Sequence, residues 1–139
     1  MIKRRAGLYL LVCGVVAIPI GFLAWLTWVF GGRDAWENRR QQIPFNASKW
    51  QRHSLDGNPM WPTRLRMADD LISSHRLIGL SRKEVEQLLG PPDHTSWGDD
   101  PGLVYFLGPE RGMIRIDSEL LFVTLDRVGN VVTVVTVRD

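Results

Sequence analysis

The sequence is poor in the residues that most often carry chemistry. It holds one cysteine, Cys13, so no intrachain disulfide can form, and an oxidising compartment is permitted without being indicated. Its three histidines, His53, His75 and His94, stand at no spacing that matches a metal motif. His94 sits beside Asp93 with Asp99 and Asp100 following, which reads as a solvated turn. A basic excess is missing as well. Residues 31–139 hold 14 Lys and Arg against 15 Asp and Glu, 14 − 15 = −1, whereas Lys3, Arg4 and Arg5 supply the surplus behind the formal +2 of the whole chain. The electrostatic footprint of a nucleic-acid binder is therefore absent. No internal repeat or low-complexity run is present.

Charge is also missing from one long stretch, and that absence is informative. From Ala6 to Phe30 the chain reads AGLYLLVCGVVAIPIGFLAWLTWVF, 25 residues without a charge. As a helix it would reach about 37 Å against a bilayer core of about 30 Å, so a single membrane span is expected over residues 1–30. Lys3, Arg4 and Arg5 before it and Trp25 and Trp28 at its end suit a cytoplasmic N-terminus and a domain on the extracytoplasmic side of a bacterial cell membrane. Arg33, Arg39 and Arg40 follow closely, which makes the basic count three on each side. A cleaved signal is disfavoured because the cut sites after Ala24 and Gly21 place Phe22 and Pro19 where small residues belong. A lipoprotein signal would have to use Cys13, which follows Val12. Cys13, Ala17 and Gly21 recur every four residues, a stripe on which a second membrane helix could pack.

Residues 31–63 are polar, broken by Gly and Pro, and carry Trp36, Phe45, Trp50 and Trp61. They read as a juxtamembrane connector with a short helix around Asp34 to Gln42. Residues 64–139 read as the folded domain. Leu65, Ala68, Leu71 and Ile72 have helical spacing within RLRMADDLISSHRL. The next helix is specified more sharply, in LSRKEVEQLLGPPD. Ser81 and Glu84 form a capping box, Leu80 and Val85 a hydrophobic staple, and Gly90 with Pro91 and Pro92 a stop. Three runs of alternating, β-branched-rich sequence follow: LVYFL, LLFVTL and VVTVVTV, the last two joined by DRVGN. The expected fold is α+β, an N-terminal transmembrane helix followed by two helices packed on a three-stranded antiparallel sheet.

At this level GLSRKEVEQLLGPPD, followed by a sheet closing on VTLDRVGNVVTVVTV, resembles the small bacterial envelope domain called BamE or SmpA/OmlA, which is related in shape to β-lactamase inhibitor proteins. The resemblance covers about Arg64 to Asp139. It implies an envelope protein that works by binding partner proteins or lipid, without catalysis.

A grafted catalytic site is a separate question, because fold does not fix function. The loop with Glu110, Arg111, Arg115, Asp117 and Glu119 offers paired carboxylates, which can do acid–base work when their environments separate their pKa values. Nothing supplies a nucleophile or a cofactor beside them, so an Arg–carboxylate network fixing the hairpin is favoured. No catalytic, cofactor or metal residue is assigned. The functional expectation is a non-enzymatic, membrane-anchored binding or scaffold module. The alternatives are an accessory lipoprotein of outer-membrane β-barrel assembly and, last, an enzyme built on the 110–119 loop. Its partner is expected to be an envelope protein or lipid, with no nucleic acid, and its oligomeric state is left open. Strict alternation places Leu121, Val123 and Leu125 on one face and Leu120, Phe122 and Thr124 on the other. It likewise sets Val131, Val135 and Val137 opposite Val132 and Val134. Both sheet faces are thus apolar, and two helices can cover only one. The connector, a partner or a membrane surface must cover the other, which makes Phe122, Val132, Val134, Trp50 and Trp61 the candidate interaction surface.

Overall fold

The structure, a computed structural model, describes residues 19–52, 58–112 and 115–139. Most of the expected span, including Cys13 and Ala17 of the small-residue stripe, lies outside those residues; Gly21 lies within them, in a helical stretch 19–27. That stretch passes through a π-helical turn, Trp28–Gly32, straight into helix α1, Arg33–Gln41, which is rich in charge. Among the described residues no helix is long and apolar enough to cross a membrane. The transmembrane helix of the expected fold is therefore corrected for the described residues: the apolar stretch they contain, before the charged helix that begins at Arg33, is too short to span a bilayer. The chain divides into two compact units, Met1–Glu37 and Asn38–Asp139.

The second unit is α+β. It contains α2 (Ala47–Arg52), α3 (Thr63–Ser73), α4 (Arg82–Leu89) and strands β1 (His94–Trp97), β2 (Asp100–Pro109), β3 (Ser118–Leu125) and β4 (Val131–Arg138). The sheet is an antiparallel meander in the order β1-β2-β3-β4. It has four strands where three were expected. The extra strand is His94–Trp97, in the segment read as a solvated turn, and it pairs with the start of β2 through Trp97↔Asp100 and His94↔Val104. Three of its four side chains are exposed, so no apolar alternation marks it, and cross-strand pairing rather than burial defines it.

The main core lies between the helices and one sheet face. Leu65, Met67, Ala68 and Leu71 of α3 and Val85 and Leu89 of α4 meet Leu103, Tyr105 and Leu107 of β2, Leu121 and Val123 of β3, and Val131. The intervening strand residues Val104, Leu120 and Phe122 form a second, small cluster on the opposite face, flanked by the half-buried Trp97, Phe106 and Val137. Phe122 is buried there largely by the sheet itself. Its ring lies over Gly102, where a Cβ would collide with it and with the Val123 carbonyl. Alternation fails in β4. Thr124 pairs with Thr133 but Leu125 pairs with Val131, so Val132 is an extra, unpaired residue, a β-bulge. The bulge turns Val131 onto the helix-covered face together with Val134, although strict alternation had separated them.

The caps of α4 are formed as the sequence specifies. The Ser81 backbone N–H donates to Glu84 Oε2 at 2.8 Å, and the Glu84 N–H returns to Ser81 Oγ at 3.4 Å. Gly90 ends the helix at φ 85°, ψ −178°, a conformation open almost only to glycine. Ser81→Ala is expected to lower stability by about 1 kcal/mol. Gly90→Val should cost about 1–3 kcal/mol through the backbone alone, since a Cβ would meet nothing closer than Gln51 Cγ at 3.7 Å. Thermal melts of the two variants check both values. Acid acts on the same cap. Hydrogen bonding to Ser81 holds Glu84 below the usual carboxylate range, and the Asn130 N–H does so for Asp126 in the β3–β4 turn. A depressed carboxyl stabilises the fold above its unfolded pKa and loses that contribution as pH falls through the folded value. Melting temperature should therefore drop below about pH 4, and the drop should shrink in Glu84→Gln.

Candidate functional site

The five residues of the expected interaction surface do not form one surface. Trp50 is fully buried and Trp61 nearly so, both in the main core beneath the helices. Trp50 packs against Phe45 and Tyr105, with ring centroids 5.8 and 6.4 Å apart, and the Arg64 guanidinium lies 5.5 Å from its centroid. Trp61 lies under Arg115, whose guanidinium carbon is 4.6 Å from the ring. The aromatic connector thus completes the first face and leaves the second alone. Gln51 does something the sequence did not signal: its side-chain amide donates to the carbonyls of Gln87 and Leu88, capping the C-terminal end of α4. Phe122 is buried on the second face and Val134 is half-buried on the first. Val132 alone stands free, half exposed, beside Val135 at 39%.

Those two valines belong to the feature with the clearest capacity to bind, the outer edge of β4. Register fixes which backbone groups face outward. The Asp139 N–H donates to the Ser118 carbonyl at 3.1 Å, so Asp139 faces β3. The ladder runs unbroken from Glu119↔Arg138 to Thr124↔Thr133. By alternation Val137, Val135 and Thr133 also face β3, while the N–H and C=O of Val134, Thr136 and Arg138 point away from the sheet. The start of this edge is already occupied. Gly79 donates to the Val131 carbonyl at 2.9 Å and Val131 donates to the Leu80 carbonyl at 2.8 Å. Beyond Val131 no backbone group among the described residues pairs with it. Alongside lies a cleft of about 460 Å³ lined by Asp69, Ile72 and Ser73 of α3 and Val134, Val135 and Thr136 of β4. A second depression, about 400 Å³, shares Asp69 and Ser73 and adds Gln42, Ile43, Pro44 and Asp70.

Behind Asp69 sits the charged network expected of the 110–119 loop, with a member the sequence did not suggest. The Arg111 guanidinium pairs with Glu119, itself only 2% exposed, and donates to both carboxylate oxygens of Asp69 at 2.7 Å. Burial works against the guanidinium's charge, but the hydrogen bonds to Glu119 and Asp69 and their charges more than offset it and hold its pKa above the ordinary arginine value. The other loop residues go elsewhere. Glu110 pairs with Arg138 at 2.6 Å, and Arg115 donates to the carbonyls of Gly112 and Met60. Glu119 and Glu110 are each matched to their own arginine and do not converge on a shared opening. Asp93 pairs with Arg64 at 3.2 Å, and the Asn46 side chain accepts from the Lys49 N–H at the start of α2. Among the described residues no three His, Cys, Asp or Glu side chains gather as metal ligands.

The edge and its cleft were not legible as a site beforehand. Asp69 and Asp70 are the only acidic residues in α3, and that was the available signal. No protein-family model, no curated protein and no solved structure matches the chain.

Proposed function

We propose that the chain is a non-enzymatic, membrane-anchored binding module of the bacterial cell envelope, with the outer edge of β4 and the neighbouring α3 cleft as its docking face. The observation that carries this reading is the contrast between the two sheet edges. β1 has four residues, is mostly polar and is irregular between His94 and Ser96. β4 has eight, begins with seven uncharged β-formers, and is regular from Thr133 onward. Soluble domains protect their edges by shortness, charge or bulges, so a long apolar edge left open marks a place where another chain docks. The resemblance of the α4 motif to the BamE-like domain supports the same reading, and the fourth strand is a departure from the three expected of it.

Site-specific photo-crosslinking in intact cells tests the reading. A photoreactive residue at Val132 or Val135 is expected to give a discrete protein adduct, and one at Thr95 on the β1 edge to give none. Adducts of equal yield from both edges, or none from β4, would remove the assignment.

A further inference from the structure

Resting on that reading, we infer that the docked element is an extended segment of a partner protein, added to β4 as a fifth strand. Alternate side chains of that segment are apolar, and one Lys or Arg enters the α3 cleft against Asp69. The chain already shows that this edge accepts strand-like pairing, because Gly79 and Leu80 make two ladder hydrogen bonds to Val131 before the backbone leaves. From there Val134, Thr136 and Arg138 present, in register, donors and acceptors that no described residue pairs with. A strand continuing the ladder would pair with them in the same geometry.

The side chains define what that strand must carry. Residues directly opposite Val134 and Thr136 would point to the helix-covered side, since directly opposed residues share a face. There they enter the 460 Å³ cleft, between the apolar Ile72 and Val134 and the carboxylate of Asp69. Charge selects between occupants. Asp69 and Glu119 are two carboxylates on one guanidinium, Arg111. A cation in the cleft would relieve the excess. A second copy of the chain is a poorer fit. Two β4 strands paired antiparallel about a two-fold axis would put both α3 helices on the same side, facing Asp69 and Asp70 of each copy across the seam. The cation that such a copy could offer from its own β4, Arg138, is already held by Glu110.

The test uses the full chain labelled for amide exchange and an acetylated peptide, Thr-Val-Thr-Lys-Thr-Val-Thr, as probe. Three comparison probes accompany it: a twin with Glu in place of Lys, a scrambled peptide, and a form N-methylated on alternate nitrogens along one edge. At millimolar concentration the Lys peptide is expected to slow exchange of the Val134 and Thr136 amides, and not those of β1, by about tenfold or more. The Glu twin should bind roughly fivefold to tenfold more weakly. The N-methylated form, which cannot complete the ladder, should give no protection. Thr136→Pro removes one outward donor and should weaken binding about fivefold, while leaving the ladder to β3 intact because the Thr136 N–H faces away from it. Should that variant fold poorly, the N-methylated probe decides the same question on the unaltered chain. Unchanged exchange at Val134 and Thr136 overturns the fifth-strand proposal, even where crosslinks at Val132 and Val135 uphold the docking face. Protection that grows with protein concentration in the absence of peptide assigns the edge to a second copy and also overturns it. Equal binding of the Lys and Glu peptides removes the cation from the proposal.

Discussion

Trp50→Ala is expected to destabilise the 38–139 unit by about 3–5 kcal/mol, the range for removing a large aromatic from a packed core. Trp50 is fully buried and is wedged between Phe45, Tyr105 and the Arg64 guanidinium. Removing it opens a cavity that α2 cannot fill without abandoning the Gln51 cap on α4. A loss of about 4 kcal/mol in a domain of this size lowers Tm by about 15–30 °C, which a circular-dichroism melt would resolve easily. Trp50→Phe should recover most of the loss. The indole N–H is buried with no acceptor among the described residues, so the smaller ring forfeits packing but no hydrogen bond. A Phe variant as unstable as the Ala variant would mean that shape, not burial, is what Trp50 supplies. By the same physics, a chain shortened to residues 64–139 loses Phe45, Trp50 and Trp61 together and should bind a hydrophobic dye.

Arg111→Met is the second change of this size. It leaves the buried Glu119 carboxylate without its guanidinium, and stranding a buried charge costs about 3–5 kcal/mol at neutral pH. Adding Glu119→Leu to Arg111→Met should restore most of the stability at pH 7, because replacing both members of a buried pair by apolar residues is often close to neutral. A double variant no more stable than Arg111→Met would place the cost in packing. Asp69, which is less buried than Glu119, can turn to solvent and should contribute little to the effect.

What could be read from the sequence was what is decided locally. The caps of α4 depend on residues within one or two turns, so Ser81, Glu84 and Gly90 announced them. The α+β class and the antiparallel pairing followed from the change of period after Pro92. The features that escaped are decided by contacts far apart in sequence or by backbone alone. β1 is a strand because the start of β2 pairs with it, and its polar side chains carry no trace of that. The bulge at Val132 is a property of register between two strands, invisible in a run of valines and threonines, yet it reassigns Val131 from one face to the other. Trp50 and Trp61 stood out as unusual in a connector. Nothing in the sequence said under which sheet face they would lie. The site is the extreme case: Asp69 and Arg111 meet across 42 positions, and the open edge exists only once the strand order is known.

The burial of Trp50 against Tyr105 also orders events in time. The strands form a meander whose neighbours are close in sequence, so the sheet can assemble from local pairings, which are the faster kind to close. Trp50 leaves the ribosome well before Tyr105 does, and the Gly79–Leu80 clasp must wait for Val131, near the end of the chain. During synthesis the tryptophans of residues 38–63 therefore spend an interval as exposed apolar side chains with nowhere to pack. The domain should fold in one late step when β4 emerges, and in that interval it is a natural client for a holding chaperone.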